Sequence, residues 1–533
     1  MLNVQDSTAS PDGWIPDGGN TTTGNNVDAY LDTNASDTPN PGLLDNNGRP
    51  VGNLDVNSHN RDFLGTGYAY TPPPQAGNPD AGTAPTDTQF QRGIVTELFY
   101  ITNWYHDQLY NLGFNEAAGN FQTNNFGRGG TGGDPVLAEA QDGSGTDNSN
   151  FSTPPDGMSG RMQMFIFDFP TPNRDGVLDT TIVAHEATHG LSNRLIGNGN
   201  GLIWDEGGGM GEGWSDFYAL SLLHNSNAFD PDGEYAEGAY ATYQLVGLTD
   251  NYLYGIRRFP YSTNNSVNPL TWADVDDITL NTSGGITPSP LNFNANGALE
   301  VHNVGEIWCL SLWEVRSRII HDPAGANGDV PTGNAKTLQI VTDALKMTPI
   351  NPSFTDARDA VLAADLAANA GANEASIWGG FADRGLGYKA IAPLGQSGIL
   401  GAGGHVGIGE SFSVPYLDAT TVTINDSTGN NNGAIDPNEP VKLTVGLFNP
   451  WKSASHGVAS ATAVLTALTP GATITTGTAT YGAIGPNQTV NGTPFAVTIA
   501  SNVTCGQSLK FNVQTTSSLG VTNTTFAVRV GKA

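Results

Sequence analysis

Residues 183–190 read VAHEATHG, two histidines four positions apart with a glutamate directly after the first. On an α-helix, positions i and i+4 share a face, so His185 and His189 can point at one spot with Glu186 beside them. The surrounding segment TTIVAHEATHGLSNRL (180–195) has helical apolar spacing and follows Asp179, a residue type suited to cap a helix N-terminus. Further along, Glu212 stands in GMGEGWSDFYALSLLHN (209–225), a second helical segment that follows a glycine-rich turn. Such a turn lets the second helix fold back antiparallel on the first, the arrangement that brings Glu212 to the histidines.

Two histidines and a glutamate form the three-ligand set of a catalytic zinc, whose fourth position stays open for water. Zinc lowers the pKa of that water towards neutrality, and Glu186 is placed to accept its proton and deliver it later to a leaving amine. Asp216, one helical turn after Glu212, can accept the remaining ring N–H of a ligating histidine and fix its tautomer. Singly, each group has a plainer reading: polar histidines on the wet face of a helix, and a surface carboxylate. Two helices that both present zinc-site groups at i, i+4 favour the metal. An alternative from another class is a surface or matrix binding protein with a structural zinc site. Glu186 and the open ligand set weigh against it, because a structural zinc normally takes four protein ligands. An aminopeptidase with the same motif would need an acidic group to anchor a free amine, and none is identifiable.

At 533 residues the chain is too long for one ordinary core, so two or more domains are expected. The balance of 51 acidic against 21 basic residues gives a net charge of -30, which argues against nucleic acid or anionic membrane partners. No apolar run reaches the roughly 18 residues that span a bilayer, and the N-terminal MLNVQDSTASPDGW lacks the basic and apolar regions of a signal peptide. The two cysteines, Cys309 and Cys505, imply no disulfide framework.

Residues 1–90, rich in Asn, Asp, Pro, Gly and Thr, read as extended and irregular. The pattern then predicts an amphipathic helix over 94–114, loops over 127–160, and a strand at RMQMFIFDF (161–169). Beyond the two metal-site helices, further helices are expected over 301–320 and 355–370. After about residue 390 helices cease. The glycine-rich PLGQSGILGAGGHVGIGESF (393–412) reads as a linker into short Val/Thr/Ile/Phe strands separated by Gly/Asn/Pro turns, the pattern of a β-sandwich of about 120 residues. The fold class expected is therefore α+β with an appended all-β domain.

The stretches HEATHGLSNRL, GGMGEGWSDFYA, GIRRFPYST, EVHNVGEIW and NPSFTDARDAVLAAD, with NNFGRGGTGGDP and AQDGSGTDNSNFSTPPDGMSGRM upstream, resemble the fungalysin family of secreted metalloendopeptidases, a branch of the thermolysin-like group. The resemblance spans roughly residues 10–390 in order and stops short of the last 120 or so. It implies a thermolysin-like two-lobed catalytic domain over 1–395, with a lobe at about 1–178 and a helical lobe at about 179–395 meeting at the His185 helix, then a linker at 396–411 and a β-sandwich at 412–533. It carries zinc ligation onto His185, His189 and Glu212, and the catalytic glutamate onto Glu186. His302 in EVHNVG takes the place of a second electrophile for the oxyanion, although a structural role at a helix start is open to it. Arg257, with Arg258 beside it, takes the place of the group that binds the carbonyl after the cut, with an ordinary salt bridge as the alternative. The thermolysin-like pattern has a tyrosine between the second histidine and the glutamate ligand; this chain lacks it, and Tyr254 or Tyr261 could substitute.

NSNFS (148–152) resembles the family's edge strand, where substrate adds as a further strand and Asn148 and Asn150 would contact it. The resemblance further implies protein or peptide substrates, a bulky apolar residue after the scissile bond, secretion, and action as a monomer. The family's inhibitory pro-domain has no counterpart here, and SPDGWIPDGG looks like a mature start, so the chain is expected to be active as it stands. In the C-terminal part, NDSTGNNNGAIDPNE (425–439) offers Asn430, Asn432, Asp436 and Glu439 as hard oxygen donors around Gly433 at spacings near those of a calcium loop. Thr428 stands where an aspartate is expected, and a plain Asn/Gly turn is the alternative.

Overall fold

The computed structural model of the chain describes residues 5–44, 46–54, 61–63, 85–203, 205–245, 247–248, 251–275, 289, 300–392 and 408–531. The chain divides into two compact units, Met1–Ala364 with Gly379–Phe412, and Asp365–Trp378 with Ser413–Ala533. The linker expected at 396–411 lies for the most part outside the described residues.

In the first unit, strands β1 (Val27–Leu31), β2 (Val136–Ala140), β3 (Ser149–Ser152) and β4 (Arg161–Met164) make one sheet in the order β1-β2-β4-β3. β1, β2 and β4 run parallel, and β3 is antiparallel at the edge, with Phe151 opposite Met162. Three of these strands fall where composition and periodicity predict irregular structure or loops, β3 being expected only through the resemblance. VDAYL and VLAEA are buried at four of five positions, as parallel strands covered on both faces require, so they lack the polar alternation by which half-buried strands are recognised. The strand expected over 161–169 ends at Met164, and Ile166–Phe167 pairs separately with Arg174–Asp175.

Helix α1 (Thr88–Asn111) starts ahead of the predicted position because Asp87 caps it, accepting from the N–H groups of Gln89 and Phe90. Its buried stripe Phe90, Ile94, Leu98, Ile101, Tyr105 and Leu109 packs on β1 and on α2 (Thr180–Leu195). α2 has the predicted bounds. α3 (Asp205–Leu223) starts a turn early, and α4 (Val301–His321) and α6 (Phe354–Asn369) match their predicted spans closely. α5 (Val330–Met347) and α7 (Glu374–Asp383) were not expected. α3 and α4 share an aromatic core in which Trp308 meets Trp214 edge-on at 5.5 Å and Phe354 at 5.2 Å. Cys309 is buried in α4 and free.

The second unit holds β5 (Asp418–Asn425), β6 (Pro440–Phe448), β7 (Ala461–Ala467), β8 (Ala472–Thr476), β9 (Thr478–Tyr481), β10 (Thr489–Asn491), β11 (Phe495–Ile499), β12 (Ser508–Ser517) and β13 (Gly520–Arg529). One sheet has the order β8-β11-β6-β10 with β5 also on β6, the other β9-β7-β12-β13, and every pairing is antiparallel. Leu443, Val445, Phe495 and Val497 of one sheet share a single apolar core with Ala463, Leu465, Phe511 and Val513 of the other. Residues 365–378 belong to this unit, where Glu374 accepts from the N–H groups of Lys452 and Ser453 at 2.9 and 2.7 Å.

Candidate active site

The depth of the site begins with three glycines. A Cβ at Gly305 of α4 would lie 2.6 Å from Glu212 Cβ and 2.8 Å from the Gly209 carbonyl, and a Cβ at Gly213 would lie 2.5 Å from the Gly305 carbonyl. α3 and α4 therefore touch backbone to backbone, and the contact sets Glu212 beside the first turn of α4, which carries His302. α2 runs on the other side of α3. Asp179 is its N-cap residue, as the sequence suggests, but makes no side-chain capping bond. Its carboxylate instead accepts from Thr181 Oγ1 and from the N–H groups of Tyr240 and Ala241, tying α2 to the 238–241 turn.

His185 Nε2, His189 Nε2 and Glu212 Oε2 converge. The separations are 3.1 Å between the histidines, 3.1 Å from His185 to Glu212 and 3.6 Å from His189 to Glu212. A tetrahedral cation with bonds of about 2.0–2.1 Å needs its donors about 3.3 Å apart, so this set fits an ion of zinc's size. Asp216 Oδ1 lies 2.6 Å from His185 Nδ1. Burial alone would raise the Asp216 pKa, but Arg257, with Nε and Nη2 each 2.7 Å from its carboxylate, holds it below the usual carboxylate range. Asp216 thus only accepts, His185 donates through Nδ1, and its Nε2 lone pair is left for the ion.

A cavity of about 360 Å³ opens on this cluster, lined among others by Asn148, Ser149, Asn150, Glu186, Arg257 and His302. Of the candidates named from the sequence in this unit, His185, His189, Glu212, Glu186, His302, Arg257, Asn148 and Asn150 line it, and Asp216 stands behind His185. Ser149 of the edge strand, which sequence reasoning did not single out, gives its hydroxyl to Glu186 Oε1 at 2.5 Å, and Glu186 Oε2 has no protein partner. His302 Nδ1 is 2.6 Å from Glu300 and its Nε2 is 3.4 Å from Glu212 Oε2. Arg258 is bound to Glu306 and to the Asn303 carbonyl, away from the cavity. Tyr261 is buried and donates to Asp216, and Tyr254 is not among the residues that line the cavity. Glu237 lines it too, 1% exposed, with neither carboxyl oxygen partnered. No motif marks this glutamate in the sequence.

In the second unit, Asn430 and Asn432 both donate side-chain amides to Asp436 Oδ2, at 2.6 and 2.7 Å. Glu439 accepts from the backbone N–H groups of Asn430 and Asp436, and Asp426, not named from the sequence, accepts from Gly433. The loop so formed is knit by its own acidic and amide groups.

The profile of the fungalysin metallopeptidase family (M36) matches residues 1–390. A probable extracellular metalloproteinase 2 of Arthroderma benhamiae is 43% identical over 315 residues, covering 56% of this chain and 45% of the relative. Extracellular metalloproteinase 2 of Trichophyton rubrum is 44% identical over 315 residues with the same two coverages, 56% and 45%. Extracellular metalloproteinase mep of Aspergillus terreus is 40% identical over 402 residues, covering 72% of this chain and 55% of the relative. The chain spans about half the length of these relatives.

Proposed function

This chain belongs to the fungalysin family of metallopeptidases, and we propose that it is a secreted zinc-dependent endopeptidase that cleaves internal peptide bonds of proteins with Glu186 as general base. The observation that carries the reading is the convergence of His185 Nε2, His189 Nε2 and Glu212 Oε2 beside a glutamate with one oxygen unpartnered. Secretion is supported by the relatives, which are named extracellular. Among the described residues no helix is long and apolar enough to cross a membrane.

His185, His189 and Glu212 would hold the ion, which when bound supplies the Lewis acidity that acidifies a water and polarises a carbonyl. Glu186 takes the proton from the attacking water on Oε2 and passes it to the departing amine, while Ser149 holds Oε1. Asp216 keeps His185 in the tautomer that ligates. His302, steadied by Glu300, donates to the oxyanion through Nε2. A substrate strand adds to the outer edge of β3, which among the described residues has a neighbouring strand on one side only, and Asn148 and Asn150 bond to its backbone. Arg257 contributes from its place in the cavity wall to binding the residue after the cut.

On this reading residues 1–395 form a thermolysin-like catalytic domain, with lobes of about 1–178 and 179–395 flanking α2, and the β-rich part from 412 onward is an accessory sandwich joined by the 396–411 linker. The Asp426–Glu439 loop is our candidate for calcium, through Asn430, Asn432, Asp436 and Glu439. A direct trial is casein hydrolysis before and after dialysis against a zinc chelator, with one equivalent of zinc returned. The expected result is loss and recovery of cleavage; cutting that survives complete zinc removal, or a zinc-loaded protein that does not cut, would overturn the reading.

A further inference from the structure

Five of the seven residues 207–213 are glycine, and all five lie in helix α3, where glycine is a poor residue. Packing accounts for Gly209 and Gly213: a Cβ would lie 2.3 Å from Val304 at the first and 2.5 Å from the Gly305 carbonyl at the second, both on α4. It does not account for Gly208 or Gly211. Beyond its own helix, a Cβ at Gly208 would meet nothing closer than the Leu202 carbonyl and Val301 Cγ1 at 3.8 Å, and one at Gly211 nothing closer than Leu202 Cδ1 at 3.7 Å, which are ordinary contact distances. Alanine would fit at either place and favour the helix. Gly208, half-buried, and Gly211 both line the cavity.

Position along α3 tells which part of a substrate Gly208 faces. Gly208, Glu212 and Asp216 follow one another at intervals of four residues and so share a face, one turn apart. Arg257 binds Asp216, and Leu202 lies against Gly208, so Arg257 and Leu202 stand at opposite ends of this row with the ligand Glu212 between them. On α2, Ile182 stands at the Arg257 end, since a Cβ on Gly238 would lie 3.5 Å from Ile182 and 3.3 Å from Ile256. Asn193, one turn past His189 and also in the cavity wall, stands at the other. Between the two ends Glu186, 4% exposed, lines the same cavity and has an oxygen with no protein partner, as a site that awaits a ligand does.

We propose that Gly208 is a specificity-determining residue: with Gly211 and Leu202 beside it, its bare backbone seats a large apolar side chain, such as phenylalanine, of the residue immediately before the scissile bond. The proposal rests on the endopeptidase reading, which sets the metal ligands at the scissile carbonyl and Arg257 at the residue after it. The end of the cavity away from Arg257 then receives what precedes the cut. A Cβ at Gly208 would stand in the space that side chain takes, which is why the helix goes without one there.

Two peptides alike except for phenylalanine or alanine before the cut are compared by kcat/KM in the native chain, Gly208→Ala and Gly208→Leu, with thermal unfolding and zinc content on the same samples. The native chain should prefer phenylalanine. Gly208→Leu, which fills the seat, should lower the phenylalanine-to-alanine ratio about tenfold and Gly208→Ala about threefold. The Tm of Gly208→Ala should stay level or rise, because alanine is the better helix former. A native preference for alanine, an unchanged ratio, a parallel loss on both peptides or a lower Tm in Gly208→Ala overturns the proposal. So does a shift seen only with a second pair of peptides that differ after the cut. If Gly208→Leu does not fold, Gly208→Ala decides. A native chain that cuts neither peptide nor casein would instead sink the endopeptidase reading itself.

Discussion

Ser149 Oγ lies 2.5 Å from Glu186 Oε1, so the strand proposed to receive the substrate also holds the proposed general base. The bond fixes one oxygen and leaves Oε2 for the proton. A hydrogen bond to a charged group is worth about 1.5 kcal/mol or more, so Ser149→Ala should lower kcat about tenfold with little change in KM, and Ser149→Thr should recover most of it. Steady-state rates on a fluorogenic peptide decide this. Equal kcat in Ser149→Ala and the native chain would show that Glu186 needs no such support.

Close contact between α3 and α4 predicts an effect on the metal from a residue that binds none. Gly305→Ala places a methyl 2.6 Å from Glu212 Cβ. The overpacking should cost about 1–3 kcal/mol of stability and shift Glu212 enough to weaken zinc binding. Zinc competition against a chromogenic chelator together with thermal unfolding measures both. A folded variant of native zinc affinity would mean that the glycine contact does not set the ligand's position.

Glu139, in the sheet of the first unit, accepts from Tyr30 and Gln163 at 2.8 and 3.0 Å. Burial, reinforced by Asp142, pushes its pKa from 4.5 up to about 7, against the pull of Tyr30, Arg161 and Gln163. The folded state thus holds a proton that the unfolded state gives up. Its stabilising effect is complete below the unfolded pKa and is lost as pH rises through the folded one. Thermal unfolding at about pH 5 and pH 8 should therefore show the native chain losing more stability with rising pH than Glu139→Gln, which cannot titrate. Parallel changes in Tm would count against the assignment.

The candidate site was largely legible in the sequence because most of its groups lie close together along the chain. His185, Glu186 and His189 are fixed by one helical turn, and Glu212 and Asp216 by another. Ser149 and Glu237 were not legible, since a serine on an edge strand and a glutamate in an isolated β-bridge with Gly255 reach the site only through tertiary folding. Strands β1 and β2 were missed because burial on both faces erases the alternation that betrays a strand. Helix α5 carried a start signal, Asp329 as cap with Pro331 in the first turn, but its Thr and Asn content dilutes the apolar stripe. In the second unit β8, β9 and β10, of five, four and three residues, did not stand out, whereas β11, also of five residues, did through its apolar alternation FAVTI.

The most direct measurement sets the native chain beside Glu186→Gln, with zinc content and casein hydrolysis determined on the same samples. The account predicts about one zinc in each protein and a loss of several orders of magnitude in hydrolysis on substitution, as expected for removal of a general base. A variant that keeps its zinc and also its hydrolysis would contradict the account at its centre.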